Sequence, residues 1–325
     1  MRTALKRLIP ILVIAAVAVT TDGESQSYPT KPVKIVVPYT PGGFTDTMAR
    51  AVGVPLGKAL GQPTVIESKP GANGIIGADA VAKAAPDGYT LGVVIAAHSA
   101  NASLYPKLPF DTVRDFTYVS LLGVTPLIMV ANNDFPPNSV RELIAYAKAN
   151  PGKVNFASSG VGAAAHLTME YFMSVTGTKM LHVPYKGTAG ALADLIGGQI
   201  NVMFDSPSSM MPQVKGGKIK ALGMASEKRT PFAPDIPTLI ESGVPGFTSS
   251  TWAMMIAPAK TPKAIVDRVS AEVAKIVRSQ ETQDRFTMLG VLPAGNTSDE
   301  ATAFLKAEIA KWGKIIKDAN VTVEN

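Results

Sequence analysis

No cysteine occurs anywhere in the chain, so disulfides and a lipid-modified N-terminal cysteine are both excluded. Histidine is nearly as scarce. The three present, His98, His166 and His182, are scattered without the spacing of metal ligands, which argues against a metal-dependent enzyme. No G-x-S-x-G elbow accompanies Ser158 or Ser159, which argues against a secreted serine hydrolase. Gly71, Gly74 and Gly77 do not match G-x-G-x-x-G, and no acid-tipped strand follows at the required distance, so no dinucleotide and no other cofactor is expected. Lys and Arg nowhere cluster with aromatics, so a nucleic-acid face is not expected either. The longest apolar run, Leu8 to Val19, is shorter than the roughly 20 residues of a membrane span.

What is present indicates a folded protein of two lobes. Hydrophobic residues make up 46% of the chain and charged residues 17%, the balance of a globular protein. At 325 residues it exceeds what one core usually serves. Residues 1–27 have the layout of a secretory signal, with Arg2, Lys6 and Arg7 ahead of the apolar run and small polar residues after it. Their loss removes three positive and two negative charges, taking the net charge from +6 to +5, a mild bias toward anionic ligands.

The stretch from Val33 to Ala51 carries the strongest local signal. Val33, Ile35, Val36 and Val37 form a short β-branched run suited to a buried strand. Pro38 and Pro41 stop it, and Gly42 and Gly43 open a helix striped by Phe44, Met48, Val52, Leu56 and Leu60. A glycine turn before a helix lets a ligand oxygen approach unpaired N–H groups and the positive end of the helix dipole. A plain βα turn would use the same residues. The strand at Val154 to Ala157, the loop Ser158 to Ala165 and the helix after it repeat this logic, giving a second anion seat.

Between and after these units, strands and helices alternate. Right-handed crossovers then give two doubly wound α/β lobes with ligands beyond the carboxyl ends of the strands. Two extended stretches, Phe116 to Ala131 and Phe247 to Ala257, are able to cross between lobes as hinge strands. The boundaries expected are residues 28–123 and 249–325 for the first lobe and 124–248 for the second. The cleft lies between them.

Five motifs stand in order: Pro38–Asp46, Lys69–Gly74, Pro86–Leu91, Val183–Gly187 and Asp194–Asp205. Together they make the chain resemble the Bug family, the periplasmic solute receptors of tripartite tricarboxylate transporters, from Tyr28 to the C-terminus. The resemblance implies a type II periplasmic binding protein, not an enzyme. Its ligand would be a small organic carboxylate (a di- or tricarboxylate, an aromatic acid or an acidic amino acid), held by main-chain groups, hydroxyls and water without a dedicated arginine. Carried onto this sequence, it implies first-lobe contacts from Tyr39, Thr40, Gly42, Gly43, Thr45 and Asp46. Ser158, Ser159, Gly160, Gly162 and Ala163 follow in the second, and relatives often carry Ser where this chain has Ala163. Tyr185 is read as a pocket wall. His98 either touches the ligand or stabilises a loop, His166 packs, and Asp205 either binds an amino or hydroxyl group or caps the following helix. The implied partners are inner-membrane permease subunits, with the receptor a periplasmic monomer; signalling to a sensor protein is the alternative output.

Overall fold

The computed structural model describes residues 28–318 and 321–322; the secretory signal read in residues 1–27 lies outside them. The first lobe is built from β1 (Val33–Val37), α1 (Phe44–Leu60), β2 (Thr64–Ser68), α2 (Ile75–Ala82), β3 (Thr90–Ile95), α3 (Ala97–Leu104) and β4 (Phe116–Pro126). The second contains β5 (Ile128–Asn132), α4 (Val140–Ala149), β6 (Asn155–Ser158), α5 (Ala164–Thr176), β7 (Leu181–Pro184), α6 (Thr188–Ile196), β8 (Val202–Asp205), α7 (Pro207–Lys215) and β9 (Ile219–Met224). The chain then returns as β10 (Ser250–Pro258), α8 (Lys263–Arg278), α9 (Gln280–Met288), β11 (Leu292–Pro293) and α10 (Ser298–Asp318).

One sheet has six strands in the order β11-β4-β10-β3-β1-β2, the other five in the order β7-β6-β8-β5-β9. Val33, Ile35 and Val37 are fully buried in the first, where β1, one strand in from the β2 edge, runs parallel to both β2 and β3. The sheets are mixed rather than uniformly parallel. β10 runs antiparallel to β3 and β4, and β5 antiparallel to β8 and β9. Both reversed strands are the first after a lobe crossing. They start at the hinge, Ile128 beside Asp205 and Ala253 beside Ile95, and run away from it, whereas their neighbours end there. At the hinge the Leu127 N–H donates to Ser249 O at 3.1 Å, tying the two crossings together.

Ser139 caps α4: Glu142 N–H donates to Ser139 Oγ at 3.2 Å, and the Glu142 carboxylate in turn accepts the Asn138 N–H at 2.8 Å. α10 packs through Ala301, Leu305 and Trp312, all buried. Its Glu308 carboxylate accepts the indole N–H groups of Trp252 and Trp312 at 2.8 and 2.9 Å, which fixes the terminal helix to the return strand.

Candidate functional site

The carboxyl ends of β1, β3, β6 and β8 converge on two adjoining cavities. The inner one has a volume of about 50 Å³ and the outer about 600 Å³; Tyr39, Thr40 and Ser159 belong to the walls of both. Four helices start at the inner cavity: α1 at Gly43, α5 at Ala163, α6 at Gly187 and α7 at Ser206. None has a side-chain cap hydrogen bond. Away from the cleft, Ser139 and Ser279 do cap α4 and α9 with their hydroxyls. The leading N–H groups of a helix lack intrahelical partners, and each N-terminus is equivalent to roughly half a positive charge. The inner cavity therefore carries positive potential although no Lys or Arg lines it.

The two glycines of the first seat do different work. Gly42 sits in the left-handed region at φ +84°, and its N–H donates to Asp46 Oδ2 at 3.1 Å. Both Asp46 oxygens also accept from Arg50 Nε at 3.0 Å, so this carboxylate closes the turn and does not reach the cavity. Gly43 is extended, at φ −82° and ψ 179°, and stands in the cavity wall with Thr45.

In the second seat a pair of stacked imidazoles holds the glycine loop at two points. Ser158 Oγ lies 2.7 Å from His182 Nε2 and accepts the Gly160 N–H at 3.2 Å. Gly162 N–H donates to His166 Nδ1 at 3.1 Å, so the His166 proton resides on Nε2, 3.4 Å from Glu170 Oε1. The two rings face each other at 3.9 Å and 16°, and Phe156 packs beside both, 4.8 Å from His182 and 6.2 Å from His166. Burial, and secondarily His166, push His182 down to about 3, so it is neutral at physiological pH.

The lobes touch across the cleft. A Cβ built on Gly187 would lie 2.7 Å from Thr40 Oγ1, and one on Gly162 would lie 2.0 Å from Leu104 Cδ2. The outer cavity opens beyond this contact. Its walls include Asn73, Tyr105, Gly160, Tyr185 and Lys186. Tyr39 Oη donates to Asn73 O at 3.1 Å, and the Tyr185 hydroxyl donates to Asp194, which fixes both rings as walls.

Of the residues expected at the site, Tyr39, Thr40, Gly43, Thr45, Ser159, Gly160, Ala163, Tyr185 and Asp205 are brought to these cavities. Gly42, Asp46, Ser158, Gly162 and His98 are not. The first four act within the loops, as described. His98 is buried in an aromatic cluster with Phe110 and Phe116, its Nε2 3.0 Å from Tyr118 Oη. Because that hydroxyl donates to Thr112 O, it accepts from His98 Nε2–H. Burial holds His98 down at about 3, and its role is structural. Asp205 lines the inner cavity, accepting from Thr188 Oγ1 at 2.9 Å and from Ser206 N–H at 2.6 Å; burial pushes its carboxyl above the ordinary range. Sequence reading missed Asn73, Lys186, Thr188 and Thr251. The first two lie inside motifs that had been recognised, Thr188 directly follows one, and Thr251 carries no local signal. Among the described residues no cluster of three His, Cys, Asp or Glu is placed to hold a metal, and no helix is long and apolar enough to cross a membrane.

Two α/β lobes closing on a cleft at their strand ends define a two-lobed periplasmic solute-binding protein. Residues 48–321 match the family described as tripartite tricarboxylate transporter family receptor. BugT of Bordetella pertussis (strain Tohama I) is 34% identical over 315 residues, 96% of this chain and 96% of that protein. Among solved structures, the periplasmic binding protein BugD is 37% identical at a TM-score of 0.86, over 91% of this chain and 100% of that one. Rpa4515 of R. palustris, solved with adipate, is 34% identical at 0.89, over 91% and 99%. MatC from Rhodopseudomonas palustris, with bound malate, is 34% identical at 0.84, over 89% and 100%. The chain belongs to the tripartite tricarboxylate transporter receptor family, of the Bug type. Its relatives are receptors and binding proteins, not enzymes.

Proposed function

We propose that the protein captures a small organic carboxylate in the periplasm and delivers it to the permease subunits of a tripartite transporter. In this reading residues 1–27 direct export, the two lobes follow the expected division into 28–123 with 249–325 and 124–248 except that the first crossing comes after Pro126, and the receptor works as a monomer. One observation carries it: four uncapped helix N-termini, from both lobes, meet at a cavity without a cationic side chain. Their nominal sum of about two positive charges exceeds the single negative charge of Asp205, leaving a net attraction for one carboxylate. The carboxylate takes the inner cavity, and the remainder of the molecule extends into the outer one, whose volume of about 600 Å³ is in the range of small-molecule sites. Rpa4515 and MatC, with adipate and malate, support this class of ligand.

The test is calorimetry and thermal shift on ligand-stripped protein against di- and tricarboxylates, aromatic acids and acidic amino acids. At a ligand concentration of 100 Kd the folded state gains about 2.7 kcal/mol. Absence of a response to every acid overturns the proposal. Mass spectrometry of the small molecule that co-purifies identifies the cargo.

A further inference from the structure

The inner cavity holds two polar groups that the protein itself leaves with unused hydrogen-bonding capacity. Thr251, at the start of the return strand β10, is 5% exposed and lines this cavity, yet its Oγ1 has no hydrogen-bond partner within the protein. A hydroxyl buried in this way is costly unless something else supplies the bond. Asp205 lines the same cavity at 7% exposure. It has two donors, Thr188 and Ser206, but no ion-pair partner among the described residues, and each oxygen retains accepting capacity.

These two groups restrict what can stand beside the bound carboxylate. A second carboxylate facing Asp205 would be repelled in a low-dielectric site. A methylene or a keto oxygen offers Asp205 no proton. An ammonium group can donate to Asp205 and to the threonine oxygen but leaves the Thr251 proton without an acceptor. A hydroxyl does both, donating to the carboxylate and accepting from the threonine. Resting on the carboxylate-receptor reading above, we propose that the inner cavity recognises a hydroxyl group next to the ligand's carboxylate, through Asp205 and Thr251, so that the protein selects hydroxy acids over their deoxy counterparts.

Calorimetry on the ligand-stripped full-length mature protein tests this with matched pairs: malate and succinate, 2-hydroxyglutarate and glutarate, 2-hydroxyadipate and adipate. Aspartate and glutamate complete the set. In whichever pair binds, the hydroxy acid is expected to bind at least about tenfold more tightly. Thr251→Val, which keeps the shape, and Asp205→Asn should each shrink that preference, read as the ratio of the two affinities within a pair, to about threefold or less. A threonine with a purely structural role would instead weaken both members of a pair equally. Should Asp205→Asn fail to fold, Thr251→Val and the wild-type ratio decide. Equal binding of the two members leaves the carboxylate receptor standing and overturns the hydroxyl assignment. Tighter binding of an amino acid than of its hydroxy analogue overturns it in favour of an ammonium. If no acid of any pair binds, the receptor reading falls and takes this one with it.

Discussion

Adjacent glycines in the first seat allow binding and stability to be perturbed separately. Gly43 has a φ of −82° that any residue adopts, and a Cβ there meets only Thr40 O, at 3.8 Å. Gly43→Val should therefore fold, with a stability change of about 1 kcal/mol or less from the altered cap position. Its branched side chain would stand in the cavity wall among the leading N–H groups of α1 and deny the carboxylate at least one charge-assisted hydrogen bond. Such a bond is worth about 1.5–3 kcal/mol, so affinity should fall by about 10- to 150-fold. Gly42→Ala is expected to do the reverse. Nothing lies within 4 Å of its Cβ, but φ is +84°, so the cost is backbone strain of about 1–2 kcal/mol and a melting temperature lower by several degrees. Affinity should be retained, because Gly42 stands outside the cavity and spends its N–H on Asp46. Calorimetry and thermal denaturation of both variants without ligand form the assay. Wild-type affinity in Gly43→Val, or a loss in Gly42→Ala as large as in Gly43→Val, refutes the reasoning.

Gly187→Ala places a Cβ 2.7 Å from Thr40 Oγ1 and should weaken ligand binding about tenfold by opposing closure; in a double-mutant cycle Thr40→Ala should recover part of that loss, and strict additivity would show that the lobes do not meet there. His182→Phe keeps the ring stack but drops the bond to Ser158, whereas His182→Gln returns a nitrogen near the Nε2 position. Calorimetry should find carboxylate affinity about five- to tenfold weaker in the first and nearly intact in the second, and equal effects would remove the loop-holding role. Acid should destabilise the ligand-free protein. His98 and His182 are held at about 3, below the ordinary value near 6.5, so between those limits the unfolded chain binds more protons and stability falls as pH falls. The raised Asp205 carboxyl acts with the opposite sign just above its ordinary range. Each fully titrating histidine gives a slope of up to about 1.4 kcal/mol per pH unit, and urea midpoints from pH 7 to 4 should show a flatter profile for His98→Gln; an unchanged slope would contradict the assignment.

The sequence made the order of elements legible because buried β-branched runs, proline stops and four-residue stripes are local properties. The two glycine loops were legible for the same reason, as turns ahead of helices. What depended on distant neighbours was not. Asp46 is turned away from the cleft by Arg50, an i,i+4 partner that was present to be read. His98 is enclosed by Phe110, Phe116 and Tyr118, and only the position of β4 in the sheet brings two of these against it. His166 and His182 are 16 residues apart yet stack, because β6 pairs with β7 and α5 starts beside them. Thr251 reaches the cavity because β10 lies between β3 and β4, a placement no local pattern encodes.

A grip made from the main chain has an evolutionary consequence. Every residue but proline carries a backbone N–H, so in the binding mode proposed above most point mutations leave the acid-holding end of the receptor intact. Change of diet must come instead from the few side chains that project around it, such as Asn73, Tyr105 and Lys186 on the wide chamber. One inherited handle can thus serve a whole lineage of transporters while the surrounding upholstery is exchanged for each nutrient.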